Sequence, residues 1–185
     1  MVVVRHGETE WSLAGRHTGR TDLTLLPQGE LVAGRLVAPL AARSFALVLT
    51  SPRLRARRTA ELAGFGDRAE IDDDLVEWDY GADEGRTAAE IGEDRPGWEP
   101  WRDGYHDGEP LDAVAARSRR VIERALAVDG DTLVFAHGHL LRILATQWMG
   151  LSAPTAKAYA LDPATISVLA WHRDARVLKT WNAPV

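Results

Sequence analysis

Val2-Val3-Val4-Arg5-His6-Gly7 sets an apolar, β-branched run directly against a cation, an imidazole and a glycine. A run this short and this continuously apolar predicts a strand covered on both faces, with Arg5, His6 and Gly7 leaving it at the carboxyl end. Residues 45–50 (FALVLT), 132–136 (TLVFA) and 165–171 (TISVLAW) have the same character. Between them, apolar residues recur with helical spacing over 27–42, 53–63, 110–128 and 139–149. In the third of these, Leu111, Val114, Ser118, Val121, Ile122 and Ala125 share one face, and the Arg-rich remainder is expected to face water. Strand and helix in alternation predict an α/β fold, a three-layer α/β/α sandwich with a mostly parallel central sheet and right-handed crossovers. Residues 176–181 are expected to add a last, antiparallel edge strand.

One stretch breaks the pattern. Residues 81–108 carry Gly, Pro, Asp and Glu with Trp98, Trp101 and Tyr105 in place of a clean period, and are expected to form a lid-like excursion within a single domain spanning 1–185. The chain has 185 residues, enough for one well-buried core, and is 45% hydrophobic and 26% charged, as ordinary globular proteins are. Its formal net charge of −5 supplies no basic field for nucleic acid. The absence of Cys removes disulfides, thiolate nucleophiles and Cys-ligated metals, and suits a reducing cytosol. Neither a signal peptide nor a run of about 20 apolar residues is present, so a soluble, cytoplasmic protein with no membrane partner is expected. Oligomeric state is left open by the sequence, a homodimer included.

The chemistry gathers at three strand ends. Arg5-His6-Gly7 follows the first strand, Ser51-Pro52-Arg53-Leu54-Arg55 the second, and His137-Gly138-His139 the third. In an open parallel sheet the ligand crevice lies beyond the carboxyl ends of adjacent strands at a switch in strand order, which would bring two His and at least two Arg together. Guanidinium forks match phosphate oxygens, which makes Arg5 and Arg55 the expected clamps. His6 beside Arg5 is placed to act as a neutral, covalent nucleophile on a phosphoryl group. Arginines can carry the charge of phosphoryl transfer without a metal, and the reaction then needs only a proton donor besides. Asp74, Glu77 and Asp79 are all candidates for that donor, and spacing alone does not choose among them. His137 and His139 one residue apart could alternatively be metal ligands, although no carboxylate-rich partner set accompanies them. Gly138 between them suggests close backbone approach. Arg57 and Arg58 read as a solvated helix face, and Trp78, Trp98 and Trp101 as packing, with Tyr80 kept as a substrate contact.

Taken together, Arg5-His6-Gly7-Glu8-Thr9-Glu10-Trp11, Ser51-Pro52-Arg53-Leu54-Arg55-Ala56, Glu77-Trp78-Asp79-Tyr80-Gly81 and Ala136-His137-Gly138-His139 resemble the histidine phosphatase superfamily, in its phosphoglycerate mutase-like branch, over essentially the whole chain. The resemblance implies that His6 is phosphorylated, that Arg5, Arg55 and His137 hold the phosphate, and that Glu77 is the acid and base. It implies substrate contacts from Ser12, Thr18 and Gly19, beside those expected of Tyr80, Gly138 and His139. No cofactor is implied, and no metal.

Two departures stand out. Many members have Asn at the position of Ser12, whose shorter arm would reach the phosphoryl group only through water. Leu26 replaces the usual helix-capping Thr before Pro27. Cofactor-dependent mutases of the branch carry a longer insertion with a paired Arg-Arg, and no such pair occurs in 81–108. The closer likeness is to actinobacterial broad-specificity acid phosphatases and fungal sedoheptulose bisphosphatases. The expected activity is metal-independent hydrolysis of a small phosphomonoester, a sugar phosphate by preference. The alternatives are a phosphoglycerate mutase, a non-catalytic phosphate-binding module and a metal-dependent hydrolase.

Overall fold

The computed structural model describes residues 1–185. Six strands, β1 (Val2–Arg5), β2 (Leu47–Thr50), β3 (Glu70–Ile71), β4 (Thr132–Ala136), β5 (Ile166–His172) and β6 (Ala175–Ala183), form one sheet in the order β3-β2-β4-β1-β5-β6. The helices are α1 (Glu10–Leu13), α2 (Pro27–Arg35), α3 (Val37–Ala41), α4 (Leu54–Leu62), α5 (Ala88–Asp94), α6 (Pro100–Asp103), α7 (Leu111–Leu126) and α8 (Gly138–Trp148). Because successive strand side chains point to opposite faces, the apolar runs divide into two cores. Val3, Leu47, Leu49, Val134 and Ala136 pack with Val114, Val121 and Ile122 of α7 and Leu140, Leu141 and Leu144 of α8. Val2, Val4, Val48, Leu133 and Phe135 pack on the other side with Ala33, Leu36 and Leu40 around α2 and α3 and Ala60 of α4. The expected α/β/α sandwich follows from strands apolar on both faces.

Four features depart from the sequence reading. β5 runs antiparallel to β1, whereas it was expected within the parallel set. Residues 149–165 carry the chain back to the carboxyl end of β1, where the Ala164 N–H donates to the Arg5 and His6 carbonyls at 3.0 and 3.2 Å, so β5 enters from that end. A tight turn at Arg173, with φ 54°, then lays β6 antiparallel on β5. The predicted helix over 27–42 is two helices, because Pro39 has no N–H to continue the ladder. Strand β3 has only two residues, too few for any pattern to announce. Finally, Arg117 does not face water: it is buried in α7, bonded to Glu109 and to the carbonyls of Asp74 and Val76.

Residues 81–108 contain α5 and α6 and carry Ile91, Trp101 and Tyr105 into the α7–α8 core. Trp78 is fully buried beneath them, its ring 4.9 Å from Tyr105 and 5.7 Å from Trp101. Its indole N–H donates to the Glu109 carbonyl at 2.7 Å. Aromatic contact, with no helical or strand period, holds this segment over the carboxyl end of the sheet.

Candidate active site

The parallel ladders continue past the strands and align their ends. His6 N–H donates to the Ala136 carbonyl at 2.9 Å, and Ser51 N–H to the Phe135 carbonyl at 3.0 Å. His6 and His137 are thereby neighbours, with ring centroids 5.2 Å apart. The His6 Nδ1–H donates to the Gly7 carbonyl at 2.7 Å, which fixes the tautomer and leaves Nε2 as the lone-pair nitrogen. Nε2 has no protein partner and is not sealed off, although the residue as a whole is buried. Gly7 N–H in turn donates to Thr59 Oγ1 of α4 at 2.9 Å.

The residues next to His6 carry buried nitrogens that the protein itself does not satisfy. Arg5 Nε, Arg55 Nε and His137 Nδ1 are all buried without a hydrogen-bond partner, and buried polar groups are rarely left so. Neither arginine pairs with a carboxylate; the Arg5 guanidinium donates to the Leu161 carbonyl. Gly138 lets the Arg5 side chain approach closely: a Cβ at that position would lie 3.3 Å from Arg5 Nε, and the arginine would have to shift by a few tenths of an ångström. His137 Nε2 meets Ser51 Oγ at 2.7 Å. Burial first, then the charges of Arg55 and Arg5, holds His6 well below the ordinary imidazole pKa, and burial followed by Arg55 does the same to His137. Both rings are neutral at neutral pH, one as a nucleophile and one as a polar neighbour.

Arg55 has a further task. It is completely buried, donating to the carbonyls of Thr21 at 2.9 Å, Thr18 at 2.9 Å and Gly19 at 3.2 Å. The amides of the same turn belong to Glu84, whose carboxylate accepts from Gly19 N–H and Thr21 N–H at 2.9 Å each. A Cβ at Gly19 would lie 2.7 Å from the Trp78 carbonyl, so only glycine fits. The turn over 18–21 is thus gripped by its carbonyls from the sheet side and by its amides from the 81–108 side.

Glu77 lines the same cavity as His6 and meets the start of α8. Its Oε1 accepts from Trp78 N–H and Leu140 N–H, both at 2.9 Å, and its Oε2 from His139 N–H at 3.0 Å. An acid at a helix N-terminus satisfies amides that lack intrahelical partners. Oε2, with a single donor, is the oxygen that keeps an open lone pair.

The cavity is about 240 Å³ and is lined by Arg5, His6, Ser12, Thr18, Glu77, Tyr80, Gly138 and His139 among the residues named from sequence. Arg55 and His137 lie behind that lining, and Gly19 is buried in the turn. Ser12 reaches the cavity, but its hydroxyl is engaged in a capping box, accepting from Thr9 N–H at 2.9 Å and donating to the Thr9 carbonyl at 3.0 Å. Thr18 Oγ1 donates to the Arg16 carbonyl at 3.1 Å. Sequence reading missed six lining residues, the polar Arg16, His17 and Arg142 and the apolar Gly15, Ala88 and Leu161. Arg142 stands three residues after His139 and so shares its face of α8, which was a usable signal. Its guanidinium lies 4.6 Å from the Trp101 ring centroid. His17 falls between Ser12 and Thr18, both already suspected, yet no motif marks it.

The cavity thus carries Arg5 on its lining and Arg55 behind it, with His6 and Glu77 both open to it. Comparison with known proteins agrees. The family model for the histidine phosphatase superfamily (branch 1) matches residues 1–184. The chain is 40% identical over 183 residues to a sedoheptulose 1,7-bisphosphatase of Saccharomyces cerevisiae, covering 81% of this chain and 67% of the relative. It is 36% identical to an acid phosphatase of Mycobacterium tuberculosis, covering 96% and 89%. A solved open reading frame product of Mycobacterium tuberculosis superposes with a TM-score of 0.94 at 33% identity, covering 99% of this chain and 96% of that one. The chain belongs to the histidine phosphatase superfamily, branch 1, and is a phosphatase with the phosphoglycerate mutase-like fold.

Proposed function

We propose that the protein is a metal-independent phosphomonoesterase of small phosphorylated metabolites, sugar phosphates by preference, working through a phosphohistidine on His6. The observation that carries this reading is His6 itself: its Nδ1–H is tied to the Gly7 carbonyl, and its free Nε2 belongs to a cavity lined by Arg5, within the field of Arg55 and Arg5. The phosphate enters with its oxygens toward Arg5, Arg55 and His137. The Nε2 lone pair attacks phosphorus as the ester P–O bond breaks, and the proton on Glu77 Oε2 passes to the departing alkoxide. Phosphorylation leaves the imidazole positive, a charge that the Gly7 carbonyl stabilises through Nδ1–H. Water then gives its proton to Glu77 and attacks phosphorus, the P–N bond breaks, and neutral His6 and protonated Glu77 are restored.

Metal independence is supported by the donor set. Guanidiniums carry the positive charge, and no three His, Cys, Asp or Glu side chains are grouped to hold an ion. Sugar phosphates are supported by the polar lining and modest size of the cavity, and by the sedoheptulose bisphosphatase and acid phosphatase relatives. The test is phosphate release from sugar phosphates, phosphoglycerates and p-nitrophenyl phosphate with a chelator present. Full activity under chelation is expected. Chelator-dependent activity would remove the metal-free step, and transfer between the hydroxyls of phosphoglycerate without release would make the protein a mutase.

A further inference from the structure

We propose that His17 and His139 together form a hydroxyl-binding subsite beside the phosphate site, which selects phosphorylated polyols over phosphate esters without hydroxyls. This deepens the phosphatase reading and rests on it. The two rings line the same cavity and lie stacked, with centroids 6.0 Å apart and planes 28° from parallel. Each has its Nδ1 committed to the protein and its Nε2 left over. The His17 Nδ1 meets the Arg86 carbonyl at 2.7 Å; a carbonyl only accepts, so the proton is on Nδ1 and Nε2 is a bare acceptor. The His139 Nδ1 lies 2.7 Å from the Tyr80 hydroxyl. Buried Tyr80 has no other acceptor for its proton, which makes it the donor and places the ring proton of His139 on Nε2. Neither Nε2 has a protein partner, and neither is sealed from the cavity.

The pair therefore offers one acceptor and one donor. An alcohol is the group that answers both, donating its O–H to His17 and accepting from His139. Two neighbouring hydroxyls of one carbon chain would serve equally. Burial lowers both pKa values, so the rings stay neutral and do not compete with the arginines for the phosphate. The scaffold is rigid: His17 N–H donates to the Arg86 carbonyl and Gly85 N–H to the His17 carbonyl at 2.9 and 2.8 Å, while the rings of Tyr80 and Tyr105 pack 4.9 and 5.1 Å from the imidazole. That much positioning is more than a ring filling space requires, and it aims a lone pair into the cavity.

The test compares kcat/KM for ribose 5-phosphate and glucose 6-phosphate with that for p-nitrophenyl phosphate in wild type, His17→Phe and His17→Gln. Phe keeps the aromatic packing and removes the acceptor. The ratio of sugar phosphate to p-nitrophenyl phosphate should fall roughly tenfold or more in His17→Phe, as expected for one buried hydrogen bond, and recover in part in His17→Gln. A ratio unchanged in His17→Phe would overturn the subsite, because damage to the fold or to the phosphate site lowers both substrates together. Calorimetric binding of glucose 6-phosphate against inorganic phosphate reads the same subsite without turnover. A wild type that binds the sugar phosphate more tightly, by a margin lost in His17→Phe, would keep the subsite even if hydrolysis failed. Equal affinities in wild type would remove it.

Discussion

The cavity has a floor and a wall, and they are built on different principles. Arg5 and His6 make the floor, backed by Ser51 and His137, each delivered by the end of a parallel strand whose ladder extends into the site. The wall is made by His17, Glu77, Tyr80 and His139 with α5 and α6 behind them, and it is held by aromatic edges, by the Tyr80–His139 hydrogen bond and by side chains bonding to backbone. A strand end fixes a residue's place whatever lies beyond it; a wall of this kind holds only while its partners remain. The nucleophile and the phosphate-facing arginine sit on the first; the second supplies the acid, Glu77, and is assigned substrate discrimination, a division that lets the ester change while the nucleophile does not.

The sharpest way to break this division is at the floor. His6→Ala removes the nucleophile and should lower kcat by about 10⁴-fold or more for every ester alike. Circular dichroism and the melting temperature should show the fold retained. Loss confined to some substrates would mean that the phosphoryl group is accepted elsewhere. Next in size is Glu77→Gln, which retains a partner for part of the α8 N-terminus but cannot exchange the proton. It should cost about 10²- to 10⁴-fold in kcat, most for alkyl esters and least for p-nitrophenyl phosphate, whose leaving group needs little protonation. An equal loss for both esters would take Glu77 out of the acid's role.

The seam between floor and wall is the turn over 18–21, and Glu84→Ala tests it. The Gly19 and Thr21 amides lose their carboxylate, while Arg55 keeps the carbonyls. Removing hydrogen bonds to a charged group should cost about 1.5–3 kcal/mol in urea unfolding. KM should rise while the slope of kcat against leaving-group pKa stays as in wild type. A steepened slope would mean that the turn serves the chemical step and that floor and wall are one device.

The floor was the legible part. Three apolar runs ending in charged or glycine-flanked residues suffice to predict strands covered on both faces, and covered parallel strands dictate where their ends converge. What escaped was set by tertiary geometry. The reversal of β5 depends on where residues 149–165 bring the chain, which no local period records. Arg117 looks like any solvent-facing helical arginine until Glu109 and the carbonyls of Asp74 and Val76 close around it. His17 matters only because Arg86 and Thr87, some seventy residues later, form a backbone bridge beside it. Glu77 was reached by resemblance, since among three nearby acids only the folded chain shows which one meets the start of α8.

The smallest expected effect probes the floor's buried imidazoles through pH. His6 and His137 have folded pKa values well below the ordinary value near 6.5. Above that value neither state binds the proton, and the two rings contribute no pH dependence. As pH falls below about 6.5 the unfolded chain takes up protons that the folded chain refuses, so the unfolding free energy declines. Each ring that stays neutral contributes a slope that grows from about 0.7 kcal/mol per pH unit at pH 6.5 toward about 1.4, or about 1 kcal/mol between pH 6.5 and 5.5. Urea unfolding of wild type and His6→Ala between pH 6.5 and 5.5 isolates one ring, because groups common to both proteins cancel. The wild-type decline over that interval should exceed the variant's by about 1 kcal/mol. Equal slopes would mean that folded His6 accepts a proton as readily as the unfolded chain does. The neutral Nε2 on which the floor's chemistry depends would then be lost in mild acid, and activity would fall below pH 6.5 instead of persisting into the acid range.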